Sequence, residues 1–396
     1  MEISSSITID EPPSRDLQAC VIVPARNEEE LLPLALRALA GQKSCDGAPL
    51  PRSLYEVIVL INDSHDRSRE AAEAVGRDFP GFQLHVIERN FGEREAHIGN
   101  VRKLLMDEAC RRLKMVAGAN GAILSTDADT CVSSNWIAQN LAELQNGAEA
   151  VGGRVLIPGV QQERLDACTR ALNRYDDTYH RLVSWVESRL DPEPFDPWPR
   201  HHQHFGSSLA VRPSVYREVG GLPPVRALED IAFYQSLLRQ DRKLRHSNLV
   251  RVFTSARLAG RANAGLAKKL SEWKSQGQSG IYTAVENAAF LDHLFTTRRQ
   301  LRTIWAGYQS LKLASPSRLK EVATALGVQP GEVTKHAAET PHFGLLLERV
   351  NFYEACRKAW PDRKRLAPLA DVVRELLKKF RESKGLAAYG FARQSA

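Results

Sequence analysis

Long apolar runs are missing from this 396-residue chain: no stretch approaches the roughly 18 consecutive apolar residues of a membrane span. The opening MEISSSITIDEPPSRD also lacks a basic segment followed by an apolar one, so no secretory leader is read there. Cysteine is sparse and unpatterned. The six (Cys20, Cys45, Cys110, Cys131, Cys168, Cys356) form no C-x-x-C pair and no zinc-like grouping, and reduced, structural thiols are expected. A charge excess is missing from most of the chain as well. Of 54 Lys/Arg and 47 Asp/Glu, 19 and 11 fall in residues 281–396, which leaves 35 basic against 36 acidic residues before them. The net +7 therefore belongs to the C-terminal part, where a solvated basic surface is the plain reading and a phosphate-rich or membrane partner the special one. Aromatics do not interleave with these basic residues, so nucleic acid is not expected as a partner. At 43% hydrophobic and 26% charged, the composition is that of a soluble globular protein. Cytoplasm is the expected compartment, with the basic region as the part that would touch an inner membrane face.

What is present is an alternation. ACVIVPA (Ala19 to Ala25) reads as a buried strand, and EVIVLIN (Glu56 to Asn62), LHVIE (Leu84 to Glu88), GAILSTD (Gly121 to Asp127) and EAVGGRVLI as four more strands. Between them NEEELLPLALRALAGQ, with an acidic first turn, DRSREAAEAVGRD, the segment Arg94 to Lys114, and NWIAQNLAELQ carry helical spacing. Such alternation gives an α/β fold with a mostly parallel sheet, whose ligands bind at the carboxyl ends of the strands. No G-x-G-x-x-G follows the first strand and no G-x-x-x-x-G-K-[ST] occurs, so neither a dinucleotide fingerprint nor a P-loop is supported. A further short strand is read at Ser208 to Val211, a helix from Glu229, and mostly helix beyond Gly280.

Asp127 and Asp129 stand just past the fourth strand, on a turn where alternate side chains face the same way. Two carboxylates at i and i+2 suit a hard divalent cation that is also held by substrate phosphates. The plain alternative is an Asx turn leading into the helix at Asn135. Farther on, Glu229-Asp230 precedes IAFYQSLL, either as the acidic first turn of a helix or as the source of a general base, if the fold brings it opposite the metal site. Sequence spacing leaves both open.

In that order, VIVPARNEEE, INDSHDRS, STDADT, GSSLAVRPSVYREVGG and ALEDIAFYQSLL resemble the family 2 glycosyltransferases of GT-A fold, over Leu17 to Trp273. The resemblance implies a Rossmann-like catalytic domain over 17–280 and a helical region over 281–396. It also implies a nucleoside diphosphate sugar as donor, a hydroxyl acceptor, and a divalent metal (Mn²⁺ or Mg²⁺) at the D-x-D. Carried over by position, Pro24, Arg26 and Glu28 surround the nucleoside, while Asn62 or Asp63 reads the base. Arg102 falls at a nucleotide-contacting helix position, its alternative being a solvated helix face. Asp127 approaches ribose or metal and Asp129 ligates the metal. Asp230 is the expected base, and Glu229 a sugar or acceptor contact.

Gly206 and Ser207 correspond to a small-residue loop under the sugar or acceptor. His204, last of the group His201, His202 and His204, is read as acceptor lining, and His246 as a third metal ligand or a plain surface histidine. Arg257 and Arg261 lie four apart, on one face if helical, and either clamp the diphosphate or make surface salt bridges. No Q-x-x-R-W follows, which argues for one sugar per event, and inversion is expected from the family.

In DVVRELLKKFRE, Val373, Leu376, Leu377 and Phe380 share one helical face that either docks on an anionic bilayer or, as is commoner, packs on the catalytic domain. Two other functions stay open. A sugar-phosphate nucleotidyltransferase would want a Gly-rich basic loop after the first strand, where this chain has Pro24-Ala25-Arg26-Asn27; a non-catalytic nucleotide-sugar binder would keep the fold without transfer.

Overall fold

The computed structural model describes residues 6–117, 120–258, 265–279, 283–310, 314–360 and 364–383. The first half of the chain runs β1 (Ala19–Ala25), α1 (Leu32–Ala40), β2 (Tyr55–Asn62), α2 (Ser68–Asp78), β3 (Leu84–Arg89), α3 (Ile98–Val116), β4 (Ala122–Ser125), β5 (Thr130–Val132), α4 (Trp136–Gln145), β6 (Ala150–Leu156), α5 (Gly159–Glu163) and α6 (Ala167–Leu190). The second half runs β7 (Leu209–Val211), α7 (Pro213–Glu218), α8 (Glu229–Arg239), β8 (Leu244–Thr254), α9 (Leu266–Ser279), β9 (Ala284–Glu286), α10 (Ala288–Gln309), α11 (Pro316–Leu326), α12 (Pro330–Glu339), α13 (Phe343–Arg349), α14 (Phe352–Ala359), β10 (Leu366–Pro368) and α15 (Leu369–Glu382). These group into two units. One holds Met1–Arg164, Gln203–Ser236 and Arg242–Lys269, the other Leu165–His202, Leu237–Asp241 and Leu270–Ala396.

The first unit is an α/β fold around an eight-stranded sheet of order β3-β2-β1-β4-β7-β6-β8-β5. Strands β3, β2, β1 and β4 are parallel neighbours, as are β6 and β8, whereas β7 and β5 run against theirs. The expected mostly parallel sheet is present. Its core packs Val21, Val57, Leu124 and Val252 with Leu36 and Trp136, all fully buried. Below it, Arg112 of α3 grips Glu56 of β2 through two 2.7 Å hydrogen bonds, and both side chains are buried.

Two local readings need correction. Helix α1 begins at Leu32 with no acid in its first turn, because Pro33 suits the opening of a helix and leaves Glu28 to Glu30 in the loop. The fourth strand ends at Ser125, and β5 follows it at once, so the D-x-D lies on a strand-to-strand turn. Strand β8 runs through Val250 to Thr254, and its alternate burial at Val250, Val252 and Thr254 is a strand's period of two. A register shift opposite Gly153/Arg154 interrupts that period upstream.

The second unit is largely helical, with a small antiparallel pair β9·β10. Its core packs Tyr179, Leu182 and Trp185 of α6 with Phe290 and Leu294 of α10 and Leu376 and Phe380 of α15. Phe380 meets Trp185 edge-on, with ring centroids 5.0 Å apart. On the α15 face read above, Val373, Leu376 and Phe380 are buried in this core and Leu377 is half-buried. Among the described residues, no helix is long and apolar enough to cross a membrane.

Candidate active site

The loops after β1 and β2 are laced together by short polar side chains. Asn27 and Asp63 adopt left-handed backbone, φ 49° and 47°, which Asn and Asp tolerate better than most residues. The Asn27 N–H donates to Ser64 Oγ at 2.9 Å, and its Oδ1 accepts from the His65 N–H at 2.7 Å. The Glu28 N–H donates to Ser68 Oγ at 2.7 Å. These bonds hold Pro24 buried, Arg26 exposed and the Glu28 side chain turned inward. Asn62 is buried, while Asp63 Oδ1 accepts from the Phe91 N–H at 2.9 Å. One oxygen of Asp63 is therefore occupied by the backbone beyond β3.

Across the strand ends, Arg257 bridges two acids: Nη1 lies 3.0 Å from Glu28 Oε1 and Nη2 2.8 Å from Asp129 Oδ2. Arg257 follows β8 in non-helical chain, so the helical clamp expected of Arg257 and Arg261 is corrected at its first member. Arg261 lies outside the described residues. Burial pushes Asp129 up to about 6 and the neighbouring Asp127 adds to this, although Arg257 opposes both.

Arg102 is the centre of the other half. It is 3% exposed, which removes the solvated-face reading and leaves it little surface for a nucleotide. Its Nη2 donates to Asp127 Oδ1 at 2.7 Å, Nε to Glu229 Oε1 at 3.0 Å, and Nη1 to Ser125 Oγ at 2.5 Å and to the Gly206 carbonyl at 3.0 Å. The Gly206 N–H in turn donates to Asp230 Oδ2 at 2.9 Å. Glu229 is buried against the guanidinium and so faces Arg102, where a sugar or acceptor contact had been expected. Burial raises its pKa, with Arg102 pulling the other way. Leu228, just before it, has φ 58°, a left-handed conformation a leucine rarely adopts.

The small-residue reading of Gly206 also changes. A Cβ there would sit 2.8 Å from Arg102 Cζ, so the missing side chain admits the arginine. Ser207 beside it is buried, and the following Ser208 Oγ accepts from the Trp136 indole N–H at 3.0 Å. His204 stacks on Tyr234 with centroids 3.7 Å apart and planes at 10°, and His246 meets it edge-on at 5.8 Å.

His246 pairs with Gly152, while Phe253 pairs with Leu156 and Thr254 with Thr130 beside Asp129. Among the described residues, His246 joins no group of three His, Cys, Asp or Glu with the D-x-D that could hold an ion. The third-ligand reading of His246 gains no support from its position. Sequence reasoning missed Ser125, which bonds both Arg102 and the Gly206 carbonyl, and Tyr234.

Among the described residues, no group of three or more His, Cys, Asp or Glu is arranged to hold a metal ion. Two carboxylates still fit an ion of the Mg²⁺ or Mn²⁺ class, which keeps water and phosphate ligands. Burial first and the neighbouring Asp127 second disfavour a charged Asp129, and a divalent cation bound there would favour the charged form.

Residues 20–183 match the model of glycosyl transferase family 2. Over 190 residues the chain is 25% identical to the glycosyltransferase AglE of Haloferax volcanii, a stretch that covers 46% of this chain and 56% of that protein. The match thus spans little more than half of the curated relative. Among solved structures, similarity is found to the mannosyltransferase PcManGT from Pyrobaculum calidifontis, in complex with GDP-Man and Mn²⁺, at 15% identity, 96% of this chain, 84% of that one and a TM-score of 0.41. It is also found to S. aureus TarS 1-349 in complex with UDP-GlcNAc, at 14% identity, 86% of this chain, 92% of that one and a TM-score of 0.41.

Proposed function

We propose, from the match of residues 20–183 to the glycosyl transferase family 2 model, that the protein moves a sugar from a nucleoside diphosphate sugar to a hydroxyl acceptor, with inversion and one sugar per event. The observation that supports this reading is the single buried guanidinium of Arg102, which joins Asp127 of the D-x-D to Glu229 of the E-D pair. Residues about 100 positions apart in sequence thus form one carboxylate cluster, as a donor site facing an acceptor base requires.

Asp230 is the base. One of its oxygens is fixed by the Gly206 N–H, and its carboxylate takes the acceptor proton as the hydroxyl oxygen bonds to the anomeric carbon and the bond to the diphosphate breaks. Glu229 remains paired to Arg102 and holds that arginine's charge in place. Asp129 and Asp127 would hold Mn²⁺ or Mg²⁺, which when bound offsets charge on the departing diphosphate. Arg257 adds a positive charge beside Asp129, and Glu28 orients it. Pro24, Arg26, Asn62 and Asp63 bound the nucleoside side, and His204 on Tyr234 offers an aromatic face to the acceptor.

The test mixes purified protein and Mn²⁺ with a panel of nucleotide sugars and follows nucleoside diphosphate release and protection against melting. D230N is expected to keep donor binding and lose at least about 100-fold in turnover. Binding without release under any acceptor would instead mark a non-catalytic nucleotide-sugar binder. If no nucleotide protects and none of D127N, D129N or D230N has an effect, the proposal fails.

A further inference from the structure

Arg102 makes four hydrogen bonds from one buried, planar group, and their targets fall into two sets. Asp127 and Ser125 belong to the end of β4, on the donor side. Glu229 and Gly206 belong to the segments that carry and hold the base. The Gly206 peptide transmits the connection: its carbonyl accepts from Arg102, and its N–H donates to Asp230. Arg102 therefore reaches the base through one residue. A guanidinium fixes the angles between its partners, which an ammonium does not. Gly206 has no Cβ, and an added one would fall 2.8 Å from the guanidinium carbon and 2.9 Å from Nη2.

We propose that Arg102 is a positioning residue, which touches neither substrate and sets the distance of the base Asp230 from the donor-side carboxylate Asp127. The proposal rests on the glycosyl-transfer reading above. It differs from the nucleotide contact implied by family resemblance, because the arginine is buried and its hydrogen bonds end on protein groups. It also accounts for a glycine at 206 without reference to any sugar.

Three variants of the full chain test it. R102K keeps the charge and loses the fork. G206A keeps every charge and displaces the fork. R102M/E229Q removes a buried pair together, in case R102K does not fold. Misplacement of about 1 Å at a reacting group costs on the order of 100-fold, so R102K and G206A should each lower kcat by about that factor with donor KM changed less than about threefold. The combined R102K/G206A should lose no more than either alone, since both break the same linkage; a merely structural role would make the losses add.

The proposal is overturned if kcat per folded molecule stays within about threefold of wild type, if donor KM rises in step with the loss, or if the losses add. It is also overturned if neither R102K nor R102M/E229Q folds, which makes the arginine a structural strut. A wild type that releases no nucleoside diphosphate from any donor overturns the glycosyl-transfer reading and this proposal together. An active wild type with indifferent variants overturns this proposal alone.

Discussion

At the scale of single residues, Arg257 is the side chain whose two partners make the sharpest prediction. It stands between Glu28 and Asp129, and Asp129 is already pushed up to about 6 by burial and by Asp127. R257M should weaken donor affinity roughly 10- to 100-fold, in line with about 1.5–3 kcal/mol for a hydrogen bond to a charged group. Titrating the melting temperature with nucleotide measures this. Unchanged affinity would leave Arg257 as a strut between two acids. The carboxylates were legible in sequence because paired acids just past an apolar run are conspicuous. Arg102 was named only through the family resemblance, and its burial was hidden because it lies among Lys103, Arg111, Arg112 and Lys114 on one charged helix. A signal was nevertheless present: Leu105 and Ala109, three and seven residues on, share its face and are buried.

At the scale of elements, α3 is fixed to the sheet at two points, by Arg102 above and Arg112 below. Burial alone would raise the Glu56 pKa, yet hydrogen bonds from Arg112 and His85 bring it down to about 2 from an ordinary value of 4.5. Its folded value lies below its unfolded one, so its stabilising contribution is complete above about 4.5 and fades as pH falls toward 2. E56Q should flatten the pH dependence of unfolding in that window and cost about 3–5 kcal/mol at neutral pH, because Arg112 is left buried and unpaired. Denaturant titrations at several pH values measure both. Of the elements themselves, β1 to β4 were read from continuous apolar runs. Strand β8 was not, since its bulge shifts the alternating pattern between Ser247 and Arg251.

At the scale of the whole molecule, the charge boundary near residue 280 was visible in the sequence, and the grouping of the units was not. Composition is additive along the chain, whereas the second unit's core depends on α6, which precedes that boundary by about 100 residues and contributes Tyr179, Leu182 and Trp185. A fragment of residues 281–396 should therefore show helical circular dichroism without a cooperative melt, and adding residues 165–202 in the same polypeptide should restore the transition. Cooperative melting of the shorter fragment would show that its helices need no α6.

That helix also sets a schedule for synthesis. Leu190 ends α6 and Ala288 begins α10, so nearly 100 residues must leave the ribosome before the first core helix to cover it appears. At about 5–20 residues per second, the apolar face of α6 waits roughly 5–20 s for its partner. During that time Trp185 and Leu182 are surface residues of a nascent chain, and binding by a chaperone in this interval is the ordinary route past aggregation.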